Sequence, residues 1–268
     1  MGTCIEIVSG VSQSPILILI AVVLFNSFNS EQRLHPLLES IASRIRLRRS
    51  TLPELSSIQL DSDYINIKGK LDGNDLFIKN ELHRARGIRK LHLETARLGP
   101  GLEILHCVFF PQPSFDIPIF GVDIVSANDN ILAAIVDLSP VGEELPLGIK
   151  HKLLNISTPY FSQVRKLPEW GTIFSKHVQF IRPNGKEEED LFLMVADKYL
   201  RILVEALIST DADSLDSCST AERLDFQKYY CLQQKRNEKT RKVLARAFNP
   251  QWADNYIETL LFDSPSNL

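Results

Sequence analysis

Between Lys90 and Val141 the hydrophobic and polar positions follow a strand rhythm. Leu91, Leu93 and Thr95 alternate with His92, Glu94 and Ala96, so a period of two places His92 and Glu94 on the same face of one strand. Gly99-Pro100-Gly101 then turns the chain into a second run, LEILHCVF. If the turn is centred on Pro100, residues whose numbers sum to 200 face each other, and Glu94 lies opposite His106. Directly opposed side chains have Cβ atoms about 4.5–5.5 Å apart, within reach of a carboxylate–imidazole contact. Pro111 and Pro113 interrupt pairing, and IPIFGVDIVSA returns as a third strand with Gly121 two residues before Asp123. The missing side chain on that face leaves room for a flat ligand. Asn128-Asp129-Asn130 leads into ILAAIVDL, a nearly continuous apolar run of the kind expected in the middle of a sheet.

The flanking pattern changes period. Residues 33–47 place Leu34, Leu37, Leu38, Ile41, Ala42 and Ile45 at helical spacing, followed by the basic knot Arg44, Arg46, Arg48 and Arg49. Residues 63–69 and 75–80 alternate about Leu71-Asp72-Gly73-Asn74, a hairpin signal. Downstream, 171–183 reads as another strand, stopped by Asn184-Gly185. Acids Glu187 to Asp190 then open a long helix with Phe192, Val195, Ala196, Tyr199, Leu203 and Ala206 on its buried stripe. The polar loop 210–219 is a candidate flap, 220–247 reads as helix with a break near its middle, and Trp252, Tyr256, Leu260 and Leu261 close the chain as an amphipathic helix. The expected fold is α/β: a three-layer α/β/α sandwich whose central antiparallel sheet is flanked by helices, without a βαβ repeat.

Composition narrows this. A chain of 268 residues, 44% hydrophobic and without a linker-like tract, is read as one domain over 29–268, with 1–28 as an N-terminal extension of no assigned role. The apolar run 15–25 is short for a membrane span, which needs roughly 17–25 residues, and no Lys or Arg precedes Arg33. A net charge of −3 argues against a dedicated nucleic-acid binder. Cys4, Cys107, Cys218 and Cys231 show no metal-site spacing, so no protein-held metal is expected and the compartment reads as reducing, hence cytoplasmic. Nucleotide, flavin, zinc-protease and nucleophile-elbow motifs are all missing.

What chemistry remains is proton supply. His92, Glu94, His106 and Asp123 sit within otherwise apolar strands, where ionisable groups are costly unless paired. Pattern alone leaves open a structural polar cluster and a reactive one. A second candidate feature, Lys235, Arg236, Lys239, Arg241, Lys242 and Arg246 against the single acid Glu238, reads as a solvated helix face or as an anion site.

The segments RKLHLETARLGPGLEILHCVFFP, IFGVDIV, LPEWGTIFS, FIRP and NEKTRKVLARAF, in that order, resemble the ferredoxin-dependent bilin reductases over roughly residues 30–263. The resemblance implies reduction of biliverdin IXα by single electrons from a plant-type [2Fe–2S] ferredoxin, with no bound metal or flavin. It implies that Asp123 is the central acid, that His106 shares its proton network, that Glu94 serves reduction of the D-ring vinyl group, and that His92 is linked to His106 by hydrogen bonds. Arg165 and Lys239 match propionate-binding positions. His106, Glu94 and Asn237 together match the phycocyanobilin-forming branch rather than the phycoerythrobilin-forming one. A non-catalytic bilin carrier is the other class to exclude, and a monomer without stable membrane association is expected.

Overall fold

Hairpin turns between period-two segments build one antiparallel sheet, and the helical segments cover its two faces. The structure is a computed structural model and describes residues 34–99, 101–157 and 159–265. In chain order, α1 (Pro36–Arg49), β1 (Ser56–Ser57) and α2 (Ser62–Ile65) precede the strands β2 (Asn66–Leu71), β3 (Asn74–Ala85), β4 (Ile88–Leu98), β5 (Leu102–Pro111), β6 (Ile119–Ala127) and β7 (Asn130–Ser139). Then follow α3 (Leu147–Leu154), β8 (Gln179–Ile181), α4 (Gly185–Ser209), α5 (Cys218–Gln234), α6 (Glu238–Ala247) and α7 (Pro250–Tyr256), which a π-helical turn, Ile257–Leu261, extends. The strand order is β1-β3-β4-β5-β6-β7-β8, with β2 also paired to β3.

The two faces of the sheet have separate cores. One packs Leu91, Leu93, Leu105, Phe109, Ile124 and Val136 against α1, α3 and α4. The other packs Ile78, Ile104, Val108 and Ile135 against Trp170, Tyr230 of α5, Leu244 of α6 and Tyr256 of α7. The α/β/α sandwich is therefore the observed architecture. None of the helices in the described residues is long and apolar enough to cross a membrane. The extension 1–28 lies outside the described residues.

Several local expectations change. The strand at 63–69 starts only at Asn66, because Asp61 caps the short helix α2 by accepting from the Asp63 amide. The turn is as expected, with Asp72 and Gly73 both at positive φ, 52° and 83°, the hairpin geometry that glycine favours. The apolar run in β7 is not central: it is the last full-length strand, covered beyond by three-residue β8. The expected strand 171–183 shrinks to that same β8, preceded by a 3₁₀ turn at Gly171–Ile173. Its first half is captured by Asp137, whose buried carboxylate accepts from the Ser175 amide (2.8 Å), the Ser175 hydroxyl (2.5 Å) and the Ser139 hydroxyl (2.7 Å). The 210–217 loop is fastened rather than flap-like: the Asp213 amide donates to Ser114 O (2.7 Å), its carboxylate pairs with Arg223, and Arg86 donates to Thr210 O.

Asp137→Ala tests the captured loop. It leaves the Ser175 amide without its acceptor in a buried site, so stability is expected to fall by about 2 kcal/mol. A urea midpoint equal to that of the parent protein would show that other contacts hold the loop.

Candidate active site

Register, more than sequence proximity, assembles the polar groups. Asn80 of β3 faces Glu94 of β4, Glu94 faces His106 of β5, and His106 faces Asp123 of β6, so four polar side chains cross four strands in one row. All point to the face covered by α5, α6 and α7. His92 lies one step along the same face, opposite Val108, which in turn faces Gly121. The Tyr230 hydroxyl stands over Gly121, 3.5 Å from where a Cβ would be, an ordinary contact distance.

Two hydrogen-bonded groups make up the row. His106 Nδ1 lies 2.6 Å from Asp123 Oδ1, close enough for the two groups to share one proton. The other group is centred on Tyr256, whose hydroxyl lies 2.6 Å from Glu94 Oε2 and 3.0 Å from Asn80 Oδ1. Asn80 donates its amide to Tyr64 O (2.7 Å), which fixes the orientation of the carboxamide. His92 Nε2 then donates to Asn80 Oδ1 (2.7 Å). One phenolic hydrogen cannot serve two acceptors. Tyr256 donates to Glu94 when that group is ionised; a protonated Glu94 would resolve the conflict by donating to the Tyr256 oxygen while Tyr256 donates to Asn80.

Electrostatics point the same way. Burial raises the pKa of Glu94, with Asp123 adding to the rise, against lowering contributions from His106 and the Tyr256 hydrogen bond. Burial alone would lower His106, but chiefly the Asp123 carboxylate and its hydrogen bond outweigh it and hold His106 above its ordinary value. His92 is driven well below its ordinary value by burial, and the charges of His106 and Lys90 add to this. The two histidines are thus pushed apart: His106 keeps a proton and His92 stays neutral. Their rings meet edge-on with centroids 5.9 Å apart. His92 Nε2 is taken by Asn80, which leaves the Nδ1 side of the ring for the link to His106 that the resemblance implies.

The ligand-holding candidates are more dispersed. Lys239, at the start of α6, lines an apolar cavity of about 50 Å³ with Glu94, Ile104, Val243, Leu244, Tyr256 and Leu261. Asn237 caps α6, its side chain accepting from the Lys239 amide (3.3 Å), and so orients the turn that carries Lys239. Arg165 lies by the far strand β7, donating to Leu132 O (2.7 Å) with its guanidinium over the Phe180 ring. Much of the basic C-terminal run is neutralised within the chain: Lys235 pairs with Glu258, Arg241 with Asp254 and Arg246 with Asp72.

Asn80 and Tyr256 join the polar row, and the pattern did not single them out. Asn80 had a signal: it interrupts the inward series Ile78, Asn80, Leu82 of β3. Tyr256 read as core, and its hydroxyl gains meaning only once α7 docks. The stack Phe248–Trp252–Tyr256, with centroids 4.0 and 4.9 Å apart, holds that ring. Gly69 makes room for it, since a Cβ there would come within 2.7 Å of Phe248.

Residues 42–263 match the family model described as ferredoxin-dependent bilin reductase. The chain is 57% identical over 263 residues to phycocyanobilin:ferredoxin oxidoreductase of Prochlorococcus marinus strain MIT 9303, covering 98% of this chain and all of the relative. It is 54% identical over 234 residues to the protein of that name from a Synechococcus species, strain CC9902, covering 87% of this chain and 95% of the relative. The fold is similar to that of phytochromobilin synthase from tomato, solved in complex with biliverdin, with a TM-score of 0.69 at 18% identity over 83% of each chain. A match along most of the chain, at identities above one half, makes this protein a member of the ferredoxin-dependent bilin reductase family.

Proposed function

We propose that the protein reduces biliverdin IXα to phycocyanobilin, taking electrons one at a time from reduced [2Fe–2S] ferredoxin and protonating the D-ring vinyl group first and the A ring second. The observation that carries this reading is the row Glu94–His106–Asp123, which lines up two buried ionisable groups and a half-buried acid on the sheet face below α6 and α7, in a chain 57% identical to relatives named phycocyanobilin:ferredoxin oxidoreductase. Each reduction adds two electrons and two protons, so the work left to the protein is to place the tetrapyrrole and supply protons at chosen atoms. In this reading Asp123 is the central acid and His106 its proton-sharing partner. Glu94, neutral against Tyr256, serves the vinyl group. The enzyme acts as a cytoplasmic monomer with no cofactor of its own.

The cavity beside Glu94 is well below the roughly 300 Å³ or more typical of ligand pockets. A tetrapyrrole therefore has to displace a wall. The least anchored candidate is α6, which buries only Leu244 among its described residues. Its movement would carry Lys239 with it, toward one propionate, while Arg165 grips the other at the β7 side. Arg165→Met and Lys239→Met are each expected to raise the biliverdin KM about tenfold with a smaller change in kcat, because a charge-assisted contact to a remote carboxylate holds ground and transition states alike.

The deciding experiment mixes the protein with biliverdin and chemically or enzymatically reduced ferredoxin under anaerobic conditions, follows the spectrum and separates the product. Radical intermediates and phycocyanobilin are expected. A bound spectrum that never changes would make the protein a carrier, and phycoerythrobilin would place it in the sister branch.

A further inference from the structure

Lys90 lies on the same face of β4 as His92 and Glu94 and is 5% exposed. A buried ammonium is costly unless well paired, and an apolar side chain would fill this position without that cost. Its partners are specific. The ammonium donates to Leu260 O (2.9 Å) and Leu261 O (3.3 Å) and pairs with the Asp263 carboxylate. Neighbouring Arg89 reaches the same carboxylate (2.7 Å) and Gln227 of α5 (3.1 Å), and both cations sit over the Phe110 ring at 4.6 and 5.0 Å. The two carbonyls belong to the end of the π-helical turn, where helix geometry provides no internal donor.

That turn connects two residues that touch the proton-holding row. It begins directly after Tyr256, which bonds Glu94 and Asn80, and ends at Phe262, whose ring stands edge-on to His106 at 5.8 Å. We infer that Lys90 is a positioning residue of the active site: with Arg89 and Asp263 it fixes the C-terminal turn so that Tyr256 stays on Glu94 and Phe262 on His106. This rests on Glu94 and His106 being proton donors of the reaction.

The charge of Lys90 gives a readout that a purely structural strut would not. Titratable groups facing His106 are Asp123 from β6 and Glu94, His92 and Lys90 from β4; Tyr256 from α7 reaches it only through Glu94. Those facing Lys90 are Asp263, Arg89 and Cys231 of α5. Burial lowers the proton affinity of His92 and His106, and the ammonium lowers both further. Removing it raises the affinity of His106 for its proton and moves the alkaline limb of the rate profile to higher pH.

Lys90→Met and Lys90→Arg are assayed with biliverdin and reduced ferredoxin beside the parent protein, whose own turnover first establishes the functional reading. Lys90→Met is expected to lower kcat about tenfold or more, with KM little changed, to speed backbone amide exchange over residues 256–262 and to shift the alkaline limb upward. Lys90→Arg, which keeps the charge, should recover most of the rate and return the limb. Parent-like kcat and exchange in Lys90→Met, with turnover intact in the parent, would overturn the inference. If Lys90→Met does not fold, Asp263→Asn decides: faster exchange over 256–262 with a lower kcat supports the clamp, and parent-like values of both overturn it.

Discussion

The Asp123→Asn protein is expected to bind biliverdin with nearly unchanged affinity and to lose about 10³-fold in turnover, within the range that positioned acid–base groups contribute. Two effects act together. Asn cannot take the shared proton from His106 and pass it to the bilin, as a carboxylate can. It also removes the anion that, against burial, holds the proton on His106, so the imidazole partner 2.6 Å away loses its charge as well. Binding survives because the groups assigned to the propionates, Arg165 and Lys239, lie on other elements, and because Asn preserves the volume and one acceptor facing His106 Nδ1. The pH dependence sharpens the expectation. In the parent the raised His106 pKa contributes stability that is fully present below about 6.5 and is lost as pH rises through the folded-state value. Asp123→Asn removes that dependence, so the apo protein should lose less of its melting temperature between pH 6 and 8 than the parent does. Full conversion to phycocyanobilin by this variant would remove Asp123 from the mechanism.

What the sequence made legible was whatever short-range geometry determines. The Gly99–Gly101 turn fixes the register of β4 on β5, and Glu94 does face His106. The register of β6 was not readable, because a proline-bearing loop from Gln112 to Pro118 joins it to β5 and no turn type sets the offset. Ladder formation alone put Asp123 opposite His106. Asp137 and Lys90 were invisible for a related reason. Each lies in a strand whose inward face was known only after the two cores were distinguished, and each binds a segment far along the chain, Ser175 and Leu260–Asp263 respectively. The failed strand at 171–178 follows from the same long-range capture, which outweighs the local β-propensity of Thr172, Ile173 and Phe174. The resemblance implied residue roles that spacing could not, and the bond from His92 Nε2 to Asn80 was legible in neither.

Glu94→Gln is the sharpest probe of order within the reaction. Gln keeps the shape and, through its amide, donates to the Tyr256 oxygen as a neutral Glu94 does, so Tyr256 can still donate to Asn80 and the row stays assembled. It lacks only the transferable proton. The expected product is a partly reduced bilin, with the vinyl step slowed about 10²-fold or more and biliverdin affinity retained. Normal vinyl reduction would detach Glu94 from that step. Stability gives an independent check with a defined sign. Glu94 has a folded-state pKa raised above 4.5, so its favourable contribution is complete below that value and is lost as pH rises through the raised one. Above it, the parent must ionise a carboxyl group walled in by Tyr256, Leu76 and Ile104 or hold it protonated against solvent. Gln has no such cost, and the variant is therefore expected to gain melting temperature over the parent on the alkaline side while matching it under acid conditions. A difference that runs the other way would mean that Glu94 is ionised in the folded protein, with Tyr256 as its donor, and would assign vinyl protonation to His106 instead.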